Sequence, residues 1–150
     1  MDNVTAGRAP LDISRSFDGH PWNDSKLQRV EVCPPQVVLH LLMSGGTLAH
    51  PEFDPARVIF SDCRGLFANI DLLAVGVLGG ELSAAYCHSS SALRVRRIED
   101  ILTQFGVFRE FASNLSELAE YHLFVFNFVH PGGLLEVLAR DYSFESLADG

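Results

Sequence analysis

The sequence predicts an α+β domain: mainly antiparallel β-sheet or sandwich, with one or two short helices and a C-terminal β-hairpin in its core. Three observations carry this. Near the amino end, SKLQRVEV nearly alternates apolar Leu27, Val30 and Val32 with polar and charged residues, the period of a half-buried strand. VVLHLLM follows it after the breaker CPPQ and is apolar on both faces, as an interior strand is. Near the carboxyl end, EYHLFVFNFVHPGGLLEVLARDYSF reads as two strands around HPGG.

Taken in order, residues 1–16 lack periodicity and are expected to form a flexible tail, leaving 17–150 as a single β-rich domain. In FDGHPWND, Trp22 is expected to bury its ring at the end of the sheet while Asp24 hydrogen-bonds local backbone at the strand entry. Pro34 and Pro35 cannot donate to a ladder and mark a turn. SGGTLAHPEFDP is rich in breakers and reads as a long loop. ARVIFSDC is a third strand and RGLFANIDLL continues into a fourth. Gly76, Gly79 and Gly80 argue against a long helix, and Glu81–Cys87 reads as a strand. Leu93, Ile98, Ile101, Leu102 and Phe105 approach helical spacing, with Gly106 as a stop and Ser113 or Asn114 capping a short turn through Glu120.

The hairpin can be given a register. With a four-residue loop, Val129 faces Leu134, Phe128 faces Leu135, Phe126 faces Val137, Phe124 faces Ala139 and His122 faces Asp141. One side is then continuously apolar, and the other holds Tyr121, Leu123, Val125, Asn127, Glu136, Leu138 and Arg140. A one-residue slip would place Glu136 and Arg140 among the phenylalanines, so burial fixes which residues share a face. Pro131 cannot take positive φ, which excludes a two-residue primed turn.

Composition bounds the function. The 150-residue chain carries a net charge of −8 and a pI near 5.1, which opposes nucleic-acid binding and would steer a basic protein partner. The N-terminus has no apolar signal core, and the longest apolar run, IDLLAVGVLGG, is about half the ~20 residues of a membrane span. Cys33, Cys63 and Cys87 form no Cys-x-x-Cys pair and read as free, buried thiols in a reducing cytoplasm. No motif marks a metal or cofactor, so none is expected. SGG and GVLGGE lack phosphate-loop spacing and read as turns. RVRR at 94–97 is followed at once by Glu99 and Asp100, which favours local ion pairing. Phe105, Phe108 and Phe111 are expected to pack a helix or turn onto the sheet.

WNDSKLQRVEV, VIFSDCRGLFANID and the closing HLFVFNFVHPGGLLEVLARDYSFE together resemble a loosely defined group of small bacterial β-rich proteins, some of them similar to immunity proteins that accompany polymorphic toxins. The likeness spans about residues 20–145, with Asn23 standing where the group's motif often has His. It implies a cytoplasmic binder that blocks a toxin and has no chemistry of its own. The candidate partner-binding residues are His20, Trp22, Asp24, Asn127, Glu136 and Arg140. No catalytic residue is assigned. A second reading is a small hydrolase or ligand-binding domain using a His122–Asp141 pair; a third is a self-assembling structural protein.

Overall fold

In the computed structural model, residues 10–46, 51–88, 100 and 120–147 are described. Helix α1 (Pro10–Asp18) precedes the strands β1 (Lys26–Cys33), β2 (Gln36–Gly46), β3 (Pro51–Ser61) and β4 (Gly65–Asn69). Helix α2 (Leu72–Leu78) and the strands β5 (Gly80–Cys87), β6 (His122–His130), β7 (Gly133–Ala139) and β8 (Asp141–Ser146) complete the chain. All pairings are antiparallel, in the order β4-β7-β6-β5-β1-β2-β3-β8. The expected α+β class with a mainly antiparallel sheet is what the chain forms.

The two ends of that order meet. β3 and β4 are successive parts of one arm, β7 and β8 of another. The arms pair from Ala56↔Ser146 to Ser61↔Asp141 and again from Gly65↔Leu138 to Asn69↔Leu134. Between the halves, 62–64 lie opposite 139–140, a bulge that Asp62 enters at φ 49°. Backbone bonds span it, from Arg64 N–H to Leu138 C=O (2.8 Å) and from Arg140 N–H to Ser61 C=O (3.2 Å). Since β3 also pairs with β2 and β7 with β6, the sheet closes on itself. Ring contacts confirm it. β3 and β6 stand four steps apart in the order, which would be about 19 Å in a flat sheet, yet Phe60 and Phe124 have ring centroids 4.9 Å apart.

One apolar cluster fills the interior, with residues from every strand except β4 fully buried: Leu27, Leu39, Leu41, Val58, Phe60, Leu82, Phe124, Phe126, Leu135, Val137 and Tyr142 among them. β2 buries Val37, Leu39, Leu41 and Met43 and leaves the alternate residues partly open, so it is one-sided where the sequence implied two buried faces. β6 is the strand buried on both sides: Tyr121, Leu123 and Val125 are as withdrawn from solvent as the phenylalanines.

The hairpin keeps its predicted faces but not its predicted register. His122 lies opposite Ala139, Phe124 opposite Val137, Phe126 opposite Leu135 and Phe128 opposite Gly133. The four residues outside the ladder are 129–132, one position earlier than expected. The cause is Gly133, which sits in the ladder at φ 116° where any Cβ would collide with Asn69 O of β4. A shift of two preserves parity, so the apolar side is unchanged.

Three other expectations are corrected. Residues 10–18 form α1, not a tail, because Ile13 and Phe17 share one helical face and are buried, behind Pro10 at the first turn. Residues 1–9 lie outside the described residues. Ser44–Gly46 and 51–55 are not loop: β2 and β3 pair out to Gly46↔Pro51. Leu72–Leu78 is helical, because the Asp71 carboxylate accepts from the Leu73 and Ala74 amides and Gly79, at φ 81°, ends the turn. The expected strand Glu81–Cys87 and the CPPQ turn are found as β5 and the β1–β2 connection. RVRR at 94–97, the expected helix over 93–105 (apart from Asp100), Phe105, Phe108 and Phe111, and the cap at Ser113 or Asn114 lie outside the described residues.

β1 and β5 pair only at Lys26↔Glu81 and Leu27↔Gly80, plus a rung through Ser25, Leu82 and Asp24, and there the sheet opens. α1 fills the opening on the β5 side, where the Asp18 carboxylate accepts from Cys87 N–H at 2.9 Å. Its Phe17 ring lies 4.7–5.6 Å from the rings of Trp22, Phe124, Tyr142 and Phe126. Truncating this side chain removes the contact shared by helix and sheet. Phe17→Ala is expected to lower stability by about 3–5 kcal/mol in urea unfolding, while Val32→Ala on exposed strand changes it by less than about 0.5 kcal/mol. A Phe17→Ala loss as small as that of Val32→Ala would contradict the plug.

Candidate functional site

The opening motif and the last strand meet at one end of the sheet. Trp22 is 3% exposed, its indole N–H donating to Phe17 C=O at 2.7 Å. It plugs the sheet end as the sequence implied. Asp24 serves through its backbone instead of its carboxylate: it is exposed, takes φ 66°, and its N–H donates to Leu82 C=O at 2.9 Å. His20 stacks on Phe144 (4.3 Å, 19°), and its Nε2 lies 3.1 Å from the Tyr142 hydroxyl, which also meets Ser16 Oγ at 2.6 Å. These groups border an open cavity of about 460 Å³ lined by Ser16, His20, Tyr142, Ser143 and Phe144. It presents hydroxyl and imidazole edges on an aromatic wall, a surface suited to hydrogen bonding.

The predicted residues are not brought together. Asn127 sits in β6 opposite Leu134, its backbone C=O accepting from Ser83 Oγ. Glu136 is 6% exposed, so it and Trp22 offer a partner almost no side-chain area. His122 and Asp141 do not face each other across the hairpin: the register puts Ala139 opposite His122, whose Nδ1–H donates to Arg140 C=O at 3.1 Å, while Asp141 stands opposite Ser61.

Arg140 belongs to a charged cluster that the sequence reading did not assemble. At the bulge, Asp62 meets Arg140 Nε at 2.7 Å and Arg64 Nε at 3.3 Å. The Tyr121 hydroxyl, on a fully buried residue, donates to Asp62 at 2.9 Å and accepts from Arg64 Nε at 2.9 Å. Glu120 reaches Arg140 Nη2 at 3.3 Å. One carboxylate and one hydroxyl thus clamp both arms of the closing ladder. Asp62 and Arg64 are far from Tyr121 and Arg140 in sequence, so only closure reveals the cluster.

Neither Cys33 nor Cys63 is activated. The hydrogen bond to the Glu31 carboxylate pushes the Cys33 thiol up, and burial pushes Cys63 up. Cys87 is buried as expected, but Cys33 is exposed beyond the last buried residue of β1. Among the described residues no group of three or more His, Cys, Asp or Glu could hold a metal ion.

No family model, curated protein or solved structure matches the chain. The geometry alone therefore ranks its surfaces.

The most unusual surface is α2. Leu73, Val77 and Leu78 are 81–83% exposed, Leu72 is exposed as well, and Val75 alone is buried. Beside the helix is a notch of about 280 Å³ lined by Lys26, Ala74, Leu78, Gly79, Glu81, His130 and Pro131. The sequence signal was IDLLAVGVLGG itself, a run whose one charge is Asp71 near its start and which is too short for a membrane span.

Two outcomes follow. Tyr121→Phe removes a hydroxyl with two charged partners and is expected to cost about 1–3 kcal/mol in urea unfolding; an unchanged midpoint would contradict the clamp. Glu31→Gln lets the Cys33 thiol fall back toward its ordinary value of 9.0, so alkylation at pH 8 should run faster than in the parent. An equal or slower rate would show that the carboxylate does not hold the thiol.

Proposed function

We propose that this chain is a non-catalytic protein-binding module, an immunity-like inhibitor acting in the cytoplasm on a basic bacterial toxin. The observation that carries the reading is the face of α2. A helix with Leu72, Leu73, Val77 and Leu78 turned to water carries an energetic cost that contact with a partner would remove. Asp71 at its start and Glu81 just beyond its end border the apolar patch with negative charge, and the whole chain is acidic. A partner with an apolar anchor flanked by Lys or Arg complements that arrangement. Of the residues first singled out, exposed Asp24 and Arg140 and half-buried His20 and Asn127 remain able to meet a partner.

The hydrolase or ligand-binding reading assumed that His122 faces Asp141 across the hairpin, where Ala139 stands instead. No helix among the described residues is long and apolar enough to cross a membrane.

The test is co-expression with a basic bacterial toxin domain, taken from beside this protein's own gene where one is encoded there. The parent chain is expected to restore growth and to form a complex that survives gel filtration. Leu73→Asp with Val77→Asp, at exposed positions, should leave the unfolding midpoint within about 0.5 kcal/mol of the parent and weaken binding at least about tenfold. Growth arrest undiminished by the parent chain would overturn the reading.

A further inference from the structure

Among the described residues, β1 is paired along only part of one side. It pairs with β2 from Lys26 to Cys33, yet on its other side it meets β5 only at Lys26 and Leu27. Past the bulge between Leu27 and Arg29, residues 28–33 have no strand across from them among the described residues, an edge of about 20 Å. α1 covers the matching stretch of β5, and α2 lies against the start of β1, where Lys26 shares a notch with Ala74 and Leu78. Gln28, Arg29, Glu31, Val32 and Cys33 are all exposed, Val32 by 57%. Such an edge is a template for another strand.

We propose that a second copy of this chain occupies it, adding its own β1 antiparallel across a two-fold axis at Val30. The side chains argue for that occupant and that register. With Val30 opposite the partner's Val30, Arg29 faces the partner's Glu31 and Glu31 faces the partner's Arg29. Gln28 and Val32 face one another's counterparts at the flanks. A shift of two residues in one direction sets Arg29 opposite Arg29, and in the other Glu31 opposite Glu31. Like charges directly opposite destabilise a pair, so one register is favoured and its face-preserving neighbours are opposed. A one-residue shift would instead turn Val30 and Val32 to the face that carries the charges. Charge on an edge strand ordinarily keeps edges apart. Here its antisymmetry about Val30 makes the edge complementary to itself, as a two-fold interface requires. The pairing involves few residues per chain, so the dimer forms reversibly with concentration rather than as a permanent assembly.

Sedimentation equilibrium of the full chain over increasing concentration tests this. The parent's mass is expected to rise from one chain toward two. Arg29→Glu alone and Glu31→Arg alone should each hold it at one chain, and the double variant, which rebuilds the complementary pattern in reverse, should restore association. In a Cys33→Ser background, Val30→Cys should form an intermolecular disulfide on mild oxidation, because paired Cα atoms lie about 4.5–5.5 Å apart, and Gln28→Cys should not. A parent that stays at one chain throughout, or a dimer indifferent to the single reversals, would overturn the proposal. Melting curves of the variants that match the parent exclude misfolding as the cause of lost association.

Discussion

The structure depends on one ladder bending round a corner. β3 runs into β4 and β7 into β8, and the two arms stay paired through the bulge at Asp62. Were either arm to part there, β4 and β8 would become edges and the interior would open. The Arg64 and Arg140 backbone bonds hold the corner on one level, and the Asp62–Arg64–Tyr121–Arg140 cluster on another. Its carboxylate is part-exposed, where ion pairs contribute little. The larger share falls to Tyr121, whose hydroxyl is anchored on a fully buried ring, since a buried polar group that loses its partners is costly.

Closure also explains where the aromatic residues lie. Phe60, Phe124, Phe126 and Tyr142 come from strands that a flat sheet would hold apart, and they meet because the sheet curls. β1 and β5 diverge, so curling leaves a gap, and Phe17 with Trp22 fills it from α1 and the turn that follows. The helix is therefore part of the core. The β1 edge is the remainder of the same gap: α1 lies on its opposite side, and no strand among the described residues pairs with it.

Much of this could be read from the sequence. The alternation of Phe124, Phe126 and Phe128 with hydrophilic or aliphatic neighbours identified the core strand and its inward face, and Trp22 declared itself as a plug. Other features were hidden for physical reasons. The hairpin slid by two residues because Gly133 is needed where β4 passes closest, a long-range contact that leaves no local trace. α1 offers only Ile13 and Phe17 as periodic apolar residues, too few to announce a helix whose stability comes from tertiary packing. SGG and PEFDP look like breakers, yet each pairs with the other at the outer end of a hairpin. The candidate site was the least legible part. Glu136 and Trp22 were chosen by residue type and turned out buried, whereas the exposed face of α2 was read only for its failure to span a membrane.

Hydrogen–deuterium exchange resolved to single amides tests the closed ladder most directly. If the arms pair through the corner, the Arg64 and Arg140 amides exchange only with global unfolding, at rates shared with the amides of β6. Exchange of those two amides at loop-like rates while β6 stays protected would mean that the arms separate at Asp62 and that the sheet is open.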